Sequence, residues 1–82
     1  MEIEEPRVKE MRASAKLVYS ILKDSDRRLS SREIAERAQV HKRTARDALS
    51  DLEAAGVVVA SRDTRDARKL VYEACTGEHS PE

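Results

Sequence analysis

LSSREIAERAQVHKRTARDALSDLEAAG, residues 29–56, decides how this chain is read. Ser30 stands three residues before Glu33, the spacing at which a Ser hydroxyl caps the first amides of a helix and the Glu reaches back to the cap's own N–H. A helix is therefore predicted to begin at Ser30 and end near Gln39, with Ile34, Ala35 and Ala38 on its inner face. Val40 is an apolar anchor, and a second helix is predicted over residues 42–55, with Ala45, Ala48, Leu49 and Leu52 inward and Gly56 as its stop. Three or four residues separate the two. The second helix opens with Lys42, Arg43 and Arg46, although a helix N-terminus is already partly positive and disfavours cations by roughly 0.3–1 kcal/mol each. That misfit implies an external anion, and a DNA phosphate backbone fits it.

Upstream, Pro6 suits the first position of a helix, where its missing N–H costs nothing. Met11, Ala15, Val18 and Leu22 then recur at three- and four-residue spacing, with Leu17 and Ile21 widening the stripe, so one helix is predicted over about residues 7–23. The polar stretch 24–28 is a loop, after which Leu29 forms either a very short strand or a plug under the next helix. Downstream of Gly56, the β-branched run Val57-Val58-Val59-Ala60, the polar loop 62–68 and Leu70-Val71-Tyr72 predict a two-stranded hairpin. An isolated hairpin is marginal in water, so it must pack on the helices through some of Val57, Val59, Leu70 and Tyr72. The expected plan is an acidic tail (1–6), one mainly α domain with a β-hairpin (7–73) and a flexible acidic tail (74–82).

The 82 residues suit one small domain and exclude a large multi-pocket enzyme. Phe and Trp are absent and Tyr19 and Tyr72 are the only aromatics, so the core must be built from Leu, Ile, Val, Met and Ala. Net charge is zero, but residues 1–10 carry −2 and residues 73–82 carry −3, which leaves +5 on the middle. Within it, residues 27–46 hold seven bases against Glu33 and Glu36. No apolar run approaches the roughly 18 residues that span a bilayer, and the acidic start MEIEEP is unlike a signal peptide, so a cytoplasmic protein is expected. Cys75 stands alone, either a spare thiol at a strand end or the site of an intermolecular disulfide or redox signal; with only His41 and His79 beside it, no metal site is expected. No Gly-rich phosphate loop and no catalytic constellation is visible, so neither cofactor nor enzymatic activity is expected, and missing aromatic platforms disfavour single-stranded nucleic acid.

The order helix, two helices with a tight turn, hairpin resembles the winged helix-turn-helix domain of prokaryotic transcription regulators of MarR-, ArsR- and GntR-like type, over about residues 7–73. Ala35 matches the small residue that lets the two helices cross closely, and Ile34, Ala38, Val40, Ala45 and Ala48 match the apolar positions around it. Two positions depart from the pattern. Gln39 stands where members often have Gly, at about 1 kcal/mol if φ there is positive, and His41 stands where a Ser or Thr cap is usual.

The resemblance implies three helices and a two-stranded wing, with helix 42–55 entering the major groove of double-stranded DNA N-terminus first. Arg43 and Arg46 are then the candidates for bidentate contacts to guanine, and Thr44 for a phosphate or thymine methyl. His41 and Lys42, with Ser31 and Arg32 at the start of the preceding helix, are candidates for phosphates, while Arg62, Arg65 and Arg68 would lie on the adjacent backbone or minor groove. Each has a plainer reading: Arg43 paired to Asp47 on a solvated face, Ser30 and Ser31 as a structural cap, and the wing arginines paired to Asp63 and Asp66. Helix 7–23, with Tyr19 and Leu17, offers a face for a homodimer, which two half-sites would require. The implied function is a sequence-specific DNA-binding transcription regulator; the alternative is a winged-helix protein-interaction module without DNA binding.

Overall fold

A computed structural model describes residues 6–75; the expectations of terminal tails fall largely outside the described residues. The elements run α1 (Pro6–Lys9), α2 (Ala13–Asp24), β1 (Leu29–Ser30), α3 (Ser31–Ala38), α4 (Lys42–Ala54), β2 (Val58–Arg62) and β3 (Leu70–Ala74). The strands form one antiparallel sheet in the order β1-β3-β2. The fold is thus mainly helical with a hairpin wing, and Leu29 is both a strand residue, paired with Tyr72, and a fully buried plug.

The single first helix expected over residues 7–23 is two helices, broken by an extended Arg12. Continued straight, Val8 would stand about 10 Å beyond Ala15 along the axis at 1.5 Å per residue. The break instead returns Val8 to the core, where it is fully buried, and sets the Arg7 guanidinium 3.1 Å from the Ala55 carbonyl at the end of α4. Arg12 pairs with Asp51 of α4 at 2.9 Å. Tyr19, offered by the sequence as part of a dimer face, lies inside the core at 1% exposure, because α2 turns it with Ala15, Val18 and Leu22 toward α3 and α4.

The inner faces expected of the next two helices are the buried ones: Ile34, Ala35 and Ala38 on α3, and Ala45, Ala48, Leu49 and Leu52 on α4. Small side chains at four of these seven positions let the backbones approach closely, and each buried Leu or Ile contributes about 1.5–3 kcal/mol. At the end of α4, Gly56 takes φ 78° while its N–H donates to Glu53 O and the Val57 N–H donates to Leu52 O. This pair of bonds closes the helix and turns Val57 inward.

That cap also sets the phase of the wing. Val57 belongs to the cap, so strand alternation starts at Val58, which faces the core, and Val59 faces out at 46% exposure. Of the four residues expected inward, Val57 is buried and Tyr72 packs against the core, whereas Val59 and Leu70 are exposed. Leu70 shares the face of Tyr72 but pairs with Arg62 near the tip, beyond the reach of the helices.

Candidate nucleic-acid interface

The interface begins with the capping box that fixes the entry of α3. Ser30 Oγ accepts from the Glu33 N–H at 3.2 Å, and Glu33 Oε1 accepts from the Ser30 N–H at 2.9 Å. Arg27 donates to the other carboxylate oxygen, Oε2, at 2.9 Å. The Ser30 amide and then the Arg27 guanidinium hold the Glu33 carboxyl down at about 2. Helix α3 ends at Gln39, which takes the left-handed conformation at φ 58°, ψ 43°. Its N–H donates to Glu36 O, and the Val40 N–H donates to Ala35 O. The turn therefore needs the positive φ that a Gly would supply without strain.

His41 starts α4 with its Nδ1 accepting from the Arg43 N–H at 3.3 Å, a long cap, but one that satisfies an amide left over at the helix N-terminus. Lys42, Arg43 and Arg46 are exposed on the side opposite the buried Ala45, Ala48 and Leu49, and with His41 and Asp47 they line a shallow depression of about 540 Å³. Among the described residues none of these three cations makes an ion pair; the Arg43–Asp47 pair is not formed. Thr44 is half-buried and sits to one side of them. Ser31 is half-buried directly after the cap, and Arg32 is exposed, 3.7 Å from Glu36 one turn on.

In the wing, the loop is shaped by its own acids. Asp63 Oδ1 accepts from the Arg65 N–H at 3.0 Å and Asp66 Oδ1 from the Arg68 N–H at 3.1 Å, so both carboxylates hold turns. Arg62 donates to the Ala67 carbonyl, and Arg68 pairs with Asp66 at 3.4 Å while staying 93% exposed. Arg65 is exposed and makes no ion pair among the described residues.

Two features escape a reading of the sequence alone. Tyr72 stands half-buried on the sheet face that meets α4; burial, then Glu53, pushes its hydroxyl up against the opposing pull of Arg46. The register that places it beside α4 follows from the cap at Gly56; the sequence marks Gly56 as the stop but not the phase in which the strand leaves it. Arg27 and Arg28, counted only as part of the basic segment, border a cleft of about 610 Å³ against Asp63, Arg65 and Lys69 of the wing. Their signal was charge in a loop, which carries no direction.

The family model described as the HTH domain matches residues 15–65. The chain belongs to the HTH domain family. A comparison with curated protein sequences yields no match. Among solved structures, the HTH domain is similar to the transcriptional regulator BldR from Sulfolobus solfataricus, at 34% identity over 77% of this chain and 45% of that one, with a TM-score of 0.65. It is similar also to the PcaV transcriptional regulator from Streptomyces coelicolor, at 24% identity over 85% and 48%, with a TM-score of 0.75. BpsR of Bordetella bronchiseptica, a protein whose DNA binding is regulated by 6-hydroxynicotinic acid, matches at 21% identity over 85% and 49%, with a TM-score of 0.77. The chain thus spans about half the length of the solved structures it matches. Their likeness bears out the winged helix-turn-helix fold. Among the described residues no helix is long and apolar enough to cross a membrane, and no group of three His, Cys, Asp or Glu side chains could hold a metal ion.

Proposed function

We propose that this HTH domain binds double-stranded DNA with sequence preference and acts as a transcription regulator in the cytoplasm. The observation that carries the reading is the first two turns of α4, where Lys42, Arg43 and Arg46 are exposed without an acidic partner at a helix end that already repels cations. Family membership and the likeness to regulators support it. In this reading α4 lies in the major groove, Arg43 and Arg46 meet base edges, and Thr44 touches a phosphate or thymine methyl at the side. Ser31, Arg32, His41 and Lys42 hold phosphates, and Arg62, Arg65 and Arg68 follow the adjacent backbone or minor groove. Two copies would read two half-sites. With Tyr19 buried, a contact through α2 would rest on the half-buried Leu17 and its neighbours.

The test is binding to duplex DNA as salt is raised. The logarithm of the affinity should fall linearly with log salt, by about 0.9 per phosphate contact per decade. Arg43→Ala and Arg46→Ala should each relax sequence preference by roughly 1–3 kcal/mol, while Lys42→Ala should weaken binding to all duplexes alike. Absence of binding at low salt refutes the reading and favours a protein partner. Equal losses on selected and random duplexes from all three variants refute the division of roles.

A further inference from the structure

Two adjacent arginines in the loop before β1 reach opposite halves of the domain. Arg27 donates to Glu33 on α3 at 2.9 Å. Arg28 crosses the sheet instead, with Nε 3.3 Å from Glu73 Oε1 on β3 and NH1 donating to Ser61 Oγ on β2 at 3.2 Å. Ser61 is paired with Val71 and Val59 with Glu73, so Ser61 and Glu73 share the face of the sheet opposite to Val58 and Tyr72. One guanidinium therefore ties both wing strands from outside to the chain entering the third strand.

The wing has need of such a tie. On its inner face Val58 is buried and Tyr72 and Ala74 pack against the core, but the next pair outward, Arg62 and Leu70, is already exposed. Beyond that pair the loop is closed by its own turns at Asp63 and Asp66. Core packing, the burial of Val71 and the pairing of β3 with β1 thus hold the base of the wing, and Arg28 joins the two wing strands at Ser61 and Glu73, the last levels before the exposed pair Arg62 and Leu70.

We propose that Arg28 is a positioning residue that fixes the attitude of the wing relative to α3 and α4, and so the alignment of Arg65 and Arg68 with the backbone beside the groove that α4 enters. The second half of this statement rests on the DNA reading above. A guanidinium suits the role because its rigid plane donates in two directions at once, to a carboxylate and to a hydroxyl, which a point-like ammonium does not reproduce. Glu73 is part of the device: an acid near a nucleic-acid surface opposes binding by its charge, but here it anchors the arginine.

The experiment compares the full chain with Arg28→Lys, Arg28→Ala and Glu73→Ala, each checked for an intact helical melt. Wing order is read from backbone amide relaxation of residues 62–69, and affinity from a fluorescein-labelled duplex of mixed sequence at low salt. The proposal expects all three variants to loosen the wing amides while those of α3 and α4 stay unchanged, and to weaken duplex binding about two- to fivefold, the scale of an exposed pair. Glu73→Ala weakens binding although it removes a negative charge. Wild-type order in the wing of Arg28→Lys overturns the proposal, as does tighter binding by Glu73→Ala, which would make Arg28 a plain phosphate contact released from its partner. If the parent chain fails to bind the duplex, the DNA reading falls, and the relaxation of the wing amides still decides whether Arg28 holds the wing.

Discussion

Gln39→Gly should raise the stability of the domain. Gln39 occupies the left-handed region at φ 58°, ψ 43°, where the Cβ of an L-residue crowds its own carbonyl at a cost of about 1–2 kcal/mol. Its side chain is exposed, so its removal sacrifices little packing. Glycine relieves the crowding but adds about 0.4–1 kcal/mol of unfolded-state entropy. The net gain is about 0.5–1 kcal/mol, and at about 4–8 °C per kcal/mol for a domain of this size Tm should rise by roughly 2–8 °C. Thermal melts followed by circular dichroism measure this directly. Gln39→Ala retains the Cβ and should stay close to the parent, and Arg37→Gly, two residues earlier inside α3, should lose about 1 kcal/mol. If Gln39→Gly melts at or below the parent, or Gln39→Ala rises as far as Gln39→Gly, strain at the turn is not what the substitution relieves.

The converse substitution, Gly56→Ala, should lower stability by about 1–2 kcal/mol in the same melts, since φ there is 78° and the new Cβ would stand 3.4 Å from the Arg7 guanidinium that caps α4. Leu49→Ala should cost about 2–5 kcal/mol in urea unfolding, because Leu49 is 1% exposed within the contact between α4 and its neighbours; a loss under about 1 kcal/mol would mean that the core collapses freely around it. Glu33 links stability to pH. Its folded pKa is lowered from 4.5 to about 2, so its contribution is complete above the unfolded value and is lost as pH falls from about 4.5 toward 2. With the side chain 34% exposed and screened, that contribution is on the order of 1 kcal/mol. Glu33→Gln should flatten the dependence of urea midpoints over this window, and an unchanged slope would refute the assignment.

The parts of the fold legible in the sequence are those in which a local rule and a tertiary demand agree. The capping box of Ser30 and Glu33 and the three-four spacing on α3 and α4 are local patterns, and the core asks nothing different of them. Helix breaks are another matter. The stripe through Met11, Ala15 and Val18 fits a continuous helix, and the break at Arg12 answers contacts of Arg7 with Ala55 and of Arg12 with Asp51, 48 and 39 residues away. Strand phase failed for a related reason: Val57, Val58 and Val59 are chemically alike, and only the cap bond from Val57 to Leu52 settles which of them begins the alternation. At the candidate interface, residue types showed which cations were available, whereas their direction depends on partners. Arg28 and Arg43 are indistinguishable as letters; one is held between Glu73 and Ser61, and the other forms no ion pair among the described residues.

Those partnerships explain how a chain of zero net charge can still present a directed positive face. Asp51, Glu33, Glu73, Glu36 and Asp66 lie against Arg12, Arg27, Arg28, Arg32 and Arg68, so these acids neutralise arginines away from the start of α4. As exposed pairs they add little to stability, about 0.2–1 kcal/mol for a typical case. Their larger effect is on the distribution of charge. At physiological ionic strength the field of an exposed charge decays over about 8 Å, well short of principal extents of 35, 33 and 21 Å. A phosphate approaching Lys42, Arg43 and Arg46 therefore feels those three cations, the helix N-terminus behind them and the nearby Asp47, rather than the sum over the chain. Net charge averages over distances that salt erases, and the arrangement of acids among the arginines decides where an anion is drawn.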